Sequence, residues 1–486
     1  MQLEEEADEP HTPGKIASLR GATILVVTAT AQLMDLIYLT SVNIALPHMQ
    51  KELNIASANL QWLVSAYTLA FGGFLLLAGV VADRFGKRIT FCTGMAWLTI
   101  WSLAVSFAHN EISAIIFRAL QGLGAAASVP PAIGVICTYF AGREQHRAMS
   151  CYGAAGAVGF VAGLILGGLL TASLGWRWIF RLTSPLTAVL AVVAWFTFPK
   201  ERKRPTDAQP SMDIAGACLG TAAMVLLTLG LSSSESYGWG RAIAIAPIVI
   251  AVVVLGGFLL TERKVKNPVM PLWLWKQPSF AAIWFTAFFM QAWWGAMVYY
   301  IVLICQEVLH LSPLQTAVRL APCGVWGLII TLSCSWLLQR FSTKKIVVTA
   351  LAVCIVANIP SAIMKPYQSF WASTFLTMMI AVTGVSWAYN VLAISLVASV
   401  PAGIKSMSGG LINTAFQIGT AVGLALCGVV SGSVSGHKEN QDDWERMRAF
   451  SAALWMSTGF VGLAFLIAVF GIKGGQKVSG SQAPVH

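Results

Sequence analysis

Charged residues are scarce in this sequence. Asp, Glu, Lys and Arg make up 10% of its 486 residues, whereas soluble domains carry about 25%. The shortage excludes the soluble multidomain enzyme that a chain of this length would otherwise suggest. The usual marks of reaction chemistry are missing too. There is no G-x-x-x-x-G-K-[ST] segment to cradle a nucleotide phosphate, no metal-spaced histidine cluster and no nucleophile–base set. None of the seven histidines lies deep in an apolar run. The nine cysteines (Cys92, Cys137, Cys151, Cys218, Cys305, Cys323, Cys334, Cys354 and Cys427) fall in apolar runs and not in loops, so neither a disulfide framework nor a zinc site is expected. They read as small buried apolar residues. Enzymatic activity, a metal and a bound cofactor are therefore not expected.

Apolar residues fill the chain instead, at 57% of the sequence. They gather into fourteen runs, and a bilayer takes about 20 apolar residues as helix. The sequence thus predicts an all-α polytopic membrane protein with fourteen transmembrane helices. Residues 1–21 read as a short disordered tail rather than a cleavable signal, and 473–486 as a second tail. Two basic connections, Lys200 to Arg204 (KERKR) and Glu262 to Lys266 (ERKVK), set runs 7 and 8 apart as a pair. The chain divides into six runs over 22–198, basic connections and the extra pair over 199–278, and six runs over 279–472. An even number of runs puts both tails on one side. Placing them in the cytoplasm puts most of the 31 lysines and arginines on the cytoplasmic face. The formal net charge of +11 is thereby spread along one membrane surface, and nucleic acid is not an expected partner.

The segment GVVADRFGKR, Gly79 to Arg88, joins the runs 62–82 and 89–108. Gly79 allows close helix approach, and Gly86 permits a backbone angle that other residues resist. Arg84, Lys87 and Arg88 hold the turn in the cytoplasm, and Asp83 is an acid among these bases. The segment resembles the signature loop between helices 2 and 3 of the major facilitator superfamily, G-x-L-A-D-R-x-G-R-K, with Val81 for Leu and Lys87-Arg88 exchanged. The 6+2+6 division resembles the fourteen-helix drug:proton antiporters of that superfamily. The resemblance implies two six-helix bundles around a central cavity, with the extra pair outside the core. It also implies that Gly79, Asp83, Arg84, Gly86, Lys87 and Arg88 form a gating loop meeting the start of run 13 near Ser406.

Three further segments extend the likeness. FRALQGLGAAA, Phe117 to Ala127, resembles the R-x-x-x-G-x-G motif of the fourth helix. Arg118 is the only base deep in a run, and a central charge costs roughly 2.5–3.5 kcal/mol on insertion scales, so it should face the interior. In the family this position is linked to proton coupling; a structural arginine bonded to carbonyls is the other reading. GFVAGLILGG, Gly159 to Gly168, resembles the antiporter motif G-x-x-x-G-P-x-x-G-G through Gly159, Gly163, Gly167 and Gly168, with Leu164 in place of proline. YLTSVNIALP, Tyr38 to Pro47, resembles D-x-T-x-x-N-x-A-x-P but has Tyr38 at the acidic position. Asp35 lies three residues earlier and is the only acid well inside a run, since Asp213 and Glu307 sit at run ends. Either Asp35 has taken over the protonatable role, or it is a structural carboxylate bonded to Tyr38.

If runs 1, 4, 9 and 12 line the cavity as in the family, the candidate walls are Tyr38, Asn43, Gln121, Gln291, Trp294, Tyr300, Trp387, Tyr389 and Asn390. Large apolar ligands favour aromatic walls with a few polar groups. The resemblance implies a secondary active transporter, driven by the proton gradient, that exports hydrophobic or amphipathic small molecules by alternating access. Proton-coupled uptake of a nutrient or siderophore-like chelate is a second reading, and a non-transporting membrane receptor a third. The expected partners are a small-molecule substrate, protons and the lipid bilayer. The expected form is a monomer in the cell membrane, although a vacuolar membrane would read the same.

Overall fold

The computed structural model describes residues 14–56, 59–200, 213–237, 241–265, 268, 272–399, 405–436 and 442–473. Among these residues the chain is helical, apart from an isolated bridge between Gly14 and Phe140. The helices are α1 (Leu19–Leu53), α2 (Trp62–Phe85), α3 (Lys87–Val105), α4 (Glu111–Tyr139), α5 (Gly142–Ser173), α6 (Arg177–Thr197), α7 (Ile214–Tyr237) and α8 (Ala242–Lys264). They continue with α9 (Phe280–Leu303), α10 (Pro313–Arg340), α11 (Thr343–Ala357), the single turn α12 (Ile359–Ala362), α13 (Thr374–Ala398), α14 (Lys405–Ser435) and α15 (Asp443–Gly471). Twelve segments among them are long and apolar enough to cross a membrane. Shorter apolar stretches occupy Trp62–Leu75 of α2 and Ala215–Leu227 of α7. Most of the Lys200 to Arg204 connection and Lys266 lie outside the described residues.

Local chemistry sets the helix ends. Asn110 and Ser113 cap α4 reciprocally, and Ser312 and Gln315 cap α10. Pro313 then sits in the first turn, where its missing N–H leaves nothing unpaired. The turn from α2 to α3 is the single residue Gly86, at φ +99°. A side chain there would be strained. α11 and α12 form one membrane-crossing segment, Thr343–Ala362, interrupted only at Asn358, whose backbone stays helical at φ −73° and ψ −21°. Pro360 cannot donate to the carbonyl four residues back. Asn358 donates to Leu454 O (3.1 Å), Ser457 Oγ (2.8 Å) and Thr458 Oγ1 (3.1 Å) of α15.

Lipid offers no hydrophobic drive between helices, so small residues and close contact must hold them together. α1 lies along α5, α2 and α3 lie on α4, and α3 packs on α6. A second set joins α9 to α14 and α15, and α11 to α13 and α15. The two sets meet along α5–α10 and α2–α14. α7 crosses the latter seam, touching both α2 and α14, and its Thr221 Oγ1 donates to Gly73 O of α2 at 2.6 Å. α8 packs on α7 and turns Val249, Val252, Val253 and Leu260 outward. Burial of the cysteines holds for six only, because Cys137, Cys151 and Cys218 are exposed. An apolar run in a membrane protein need not be interior, since one of its faces can meet lipid.

Candidate functional site

Asp35, on α1, is buried. Its partner is not Tyr38 but Tyr67 of α2, whose hydroxyl donates to Asp35 Oδ1. Tyr38 is turned away toward α6, where it stacks on Phe180 with ring centroids 6.2 Å apart. The three-residue step from Asp35 to Tyr38 puts the two side chains about 60° apart on the helix. Arg118 has no exposed surface, and its guanidinium lies 4.3 Å from the centroid of the Tyr67 ring. Its Nε donates to Leu63 O (2.9 Å) and one terminal nitrogen to Gln121 Oε1 (2.6 Å); the other has no hydrogen-bond partner among the described residues. Gln121 Nε2 donates onward to Ser102 Oγ at 2.7 Å. A continuous buried chain of polar groups therefore links α1, α2, α4 and α3.

The R-x-x-x-G-x-G segment builds this chain. A methyl group on Gly122 would lie 3.1 Å from Tyr67 Cα, and one on Gly124 would lie 2.7 Å from Leu98 N. The two glycines let α4 close onto α2 and α3 at the level of Arg118. Asp35 also acts electrostatically on Tyr152 of α5 and Tyr389 of α13.

The glycine motif on α5 divides its work. Methyl groups at Gly159, Gly163 and Gly167 would come within 2.7–2.9 Å of Leu33, Ile37 and Ser41 of α1. One at Gly168 would collide with Pro313 O of α10 at 2.8 Å. The stripe therefore seats α1 and also touches the second helix set. Leu164 is buried, and α5 runs through it without a break.

The candidate wall residues separate into two groups. Tyr38, Gln121 and Tyr300 are enclosed by packing and present no wall; Tyr300 sits against Tyr299 and Phe450. Asn43 is buried as well, with Nδ2 donating to Leu39 O (3.0 Å) on its own helix. Trp294 packs on Phe160 of α5 with centroids 6.0 Å apart, spanning the two sets. Gln291 Oε1 is buried with no hydrogen-bond partner among the described residues. Trp387 Nε1 donates to Ser333 Oγ (3.0 Å), and Asn390 Nδ2 to Ser386 O (2.7 Å). Tyr389 stacks on Phe416 at 4.2 Å and stays 38% exposed.

At the signature loop, Arg88 stacks over Trp195 of α6 at 4.5 Å, and the Lys87 alkyl chain covers Gly134 of α4. Arg84 is exposed. Gly79 does not serve close approach, since a methyl there would reach only Pro130, at 3.8 Å. The side chains of Asp83 and Ser406 lie outside the described residues.

Sequence reading missed several groups. Tyr67 sits in no motif; its only signal is the polar stretch Ser65, Tyr67 and Thr68 within an apolar run. Gln306 lies in a π-helical turn, Ile304–Val308, that ends α9, and its Nε2 donates to Ile44 O of α1 at 2.9 Å. Such turns frequently mark functional places. Glu262, expected in a loop, is buried beside Asp213, and a methyl on Gly216 would meet both carboxylates.

The described geometry can now be set beside known proteins. The sequence profile of the Major Facilitator Superfamily matches residues 28–424. A major facilitator superfamily multidrug transporter of Aspergillus fumigatus is 29% identical over 466 residues, covering 94% of this chain and 88% of the relative. The puromycin resistance protein of Streptomyces alboniger is 32% identical, covering 84% and 81% respectively. Among solved structures, a bacterial homologue of the human lysosomal transporter Spinster shares the fold at a TM-score of 0.66, with 15% identity over 94% of this chain and 98% of that one. The chain belongs to the major facilitator superfamily and is a membrane transporter rather than an enzyme.

Proposed function

We propose that this protein exports hydrophobic or amphipathic small molecules in exchange for protons, as a member of the fourteen-helix drug:proton antiporter branch. All fourteen long helices span the bilayer, with both termini in the cytoplasm of a cell whose plasma membrane holds the protein. α1–α6 and α9–α15 are the two bundles, and α7–α8 are the extra pair at their seam. The export assignment draws on the drug and antibiotic exporters to which the chain is similar.

The observation that carries the mechanism is the position of Asp35. It is a buried carboxylate on α1, reached by a phenol of α2 and near a buried arginine of α4. A charged carboxylate is costly in apolar surroundings, and a nearby guanidinium offsets part of that cost. Rocking the bundles changes which side's water reaches Asp35. Exchange follows when a proton and a substrate molecule compete for the carrier. Trp294, Gln291, Trp387, Tyr389 and Asn390 supply the wall, aromatic with a few polar groups. The signature loop, Gly79 to Arg88, gates the cytoplasmic side, and the glycine stripe on α5 lets α1 and α10 move against a smooth face.

The test is transport into vesicles with an imposed proton gradient, screened over a panel of hydrophobic compounds. Accumulation only when the interior is acidic is the expected result. Asp35→Asn should abolish that accumulation while leaving substrate binding measurable. Full proton-driven transport by Asp35→Asn would remove Asp35 from the mechanism.

A further inference from the structure

Arg118 and Asp35 do not form a direct ion pair in this structure. What stands between them is Tyr67: its hydroxyl donates to the carboxylate, and its ring takes the guanidinium on its face. Arg118 donates instead to Leu63 O and Gln121 Oε1, and its second terminal nitrogen has no hydrogen-bond partner among the described residues. Tyr67 is also fixed from behind, because Gly122 abuts its backbone and leaves no room for α2 to slide toward α4.

We propose that Tyr67 is the positioning residue of the coupling site, holding Asp35 apart from Arg118 and setting the pH at which Asp35 takes up its proton. The inference rests on the reading of Asp35 as the coupling carboxylate. The groups that face Asp35 are Tyr67 of α2, Arg118 of α4, Tyr152 of α5 and Tyr389 of α13, with Tyr38 one turn away on its own helix. Tyr67 alone among them is hydrogen-bonded to the carboxylate. A phenol O–H favours the charged form of the carboxylate that accepts it. When Asp35 is protonated that advantage is lost, and the phenol is free to turn. Tyr67 thereby converts a proton on α1 into a changed contact with α2, the helix that meets α14 of the other bundle.

The experiment is an infrared pH titration of the full-length purified protein, following the carbonyl stretch of protonated carboxyl groups. It needs no knowledge of the substrate. The Asp35 band is the one missing in Asp35→Asn. Tyr67→Phe keeps the ring under Arg118 and removes only the O–H. A hydrogen bond to a charged group is worth about 1.5–3 kcal/mol, so the band in Tyr67→Phe should titrate about one to two pH units higher. Ser102→Ala loosens the far end of the same polar chain without touching the phenol and should titrate as the unaltered protein does. An unshifted band in Tyr67→Phe overturns the role of Tyr67. So does an equal shift in Ser102→Ala, because general loosening would then be the cause. If Asp35→Asn removes no titrating band, the coupling role of Asp35 fails instead, and the two failures are distinct.

Discussion

The two helix sets are built alike but filled differently. Both use glycines for their main seams: Gly163 and Gly167 of α5 against α1, and Gly419 and Gly423 of α14 against Phe288 and Ala292 of α9. Their buried polar groups diverge. In α1–α6 the interior holds charge, Asp35 and Arg118, linked through Tyr67, Gln121 and Ser102. Among the described residues of α9–α15, no Asp, Glu, Lys or Arg is buried. Its interior polar contacts are neutral: Asn358 with Leu454, Ser457 and Thr458, and Ser361 with Thr377 at 2.8 Å. Charge in a membrane is expensive and persists where it has a task, whereas neutral hydroxyl and amide contacts serve association. Among the described residues, the first set carries buried charge and the second carries neutral polar contacts; on the proposed function, the first would hold the coupling chemistry.

The sharpest way to break that comparison is to remove the buried donor from each set. Arg118→Ala leaves Gln121 Oε1 without its donor and Tyr67 without the cation on its face. An orphaned buried acceptor costs about 1–3 kcal/mol. Thermal unfolding in detergent should show a clear loss of stability, and proton-driven transport should vanish. Asn358→Ala should also lower stability, by about 1–3 kcal/mol, yet keep proton coupling in the folded fraction. Lost coupling in Asn358→Ala at normal folding would show that the second set shares the chemistry.

How much of this was legible beforehand depends on the range of the interaction. The helices were legible because apolar runs are local; Gly86 stood out for its backbone freedom, but a turn of this one residue did not, because residues 83–85, 87 and 88 belong to the helices. Asp35 and Arg118 stood out because charge inside an apolar run is rare. That the link between them runs through Tyr67 did not, because Tyr67 comes from a third helix and is ordinary in sequence. The same limit misplaced Tyr38 and Gln121. Each sits on a helix expected to line the cavity, but a helix has several faces, and both side chains turn into the first set. The buried contacts of Asn358 were missed because the apolar run continues through it. The neighbours that satisfy Asn358 lie about a hundred residues away.

A middle-sized effect tests how the sets are held together. Gln306 Nε2 donates to Ile44 O, tying the end of α9 to α1 on the face that carries the α1–α2 turn. Pro47 lacks the N–H that would bond Asn43 O, so the helix is already weakened here. Losing one neutral hydrogen bond costs about 0.5–1.5 kcal/mol. Gln306→Ala should therefore raise the population open on this face roughly two- to tenfold. Spin-label distances between the outer ends of α1 and α9 would register the change. An unaltered distance distribution would mean that the seam along α5–α10 closes this face unaided.

The smallest effect separates the two glycines of the signature loop. Gly86 holds φ at +99° and forms the whole turn between α2 and α3. An added side chain must be accommodated in a sparsely populated conformation that L-residues resist, at a cost of about 1–3 kcal/mol. Gly79 lies inside α2, where a methyl group would make only an ordinary contact, 3.8 Å from Pro130. Alanine there should be tolerated in the folded protein, and helix propensity favours it over glycine by about 0.8–1.0 kcal/mol. Gly79→Ala should thus leave thermal stability unchanged or slightly higher, whereas Gly86→Ala lowers it. Transport by Gly79→Ala then reports on motion alone. If it falls while stability holds, the glycine serves a state in which α2 comes closer to α4 than it does here. If it does not, Gly79 is the dispensable member of the motif, and the gate rests on the turn and its charges.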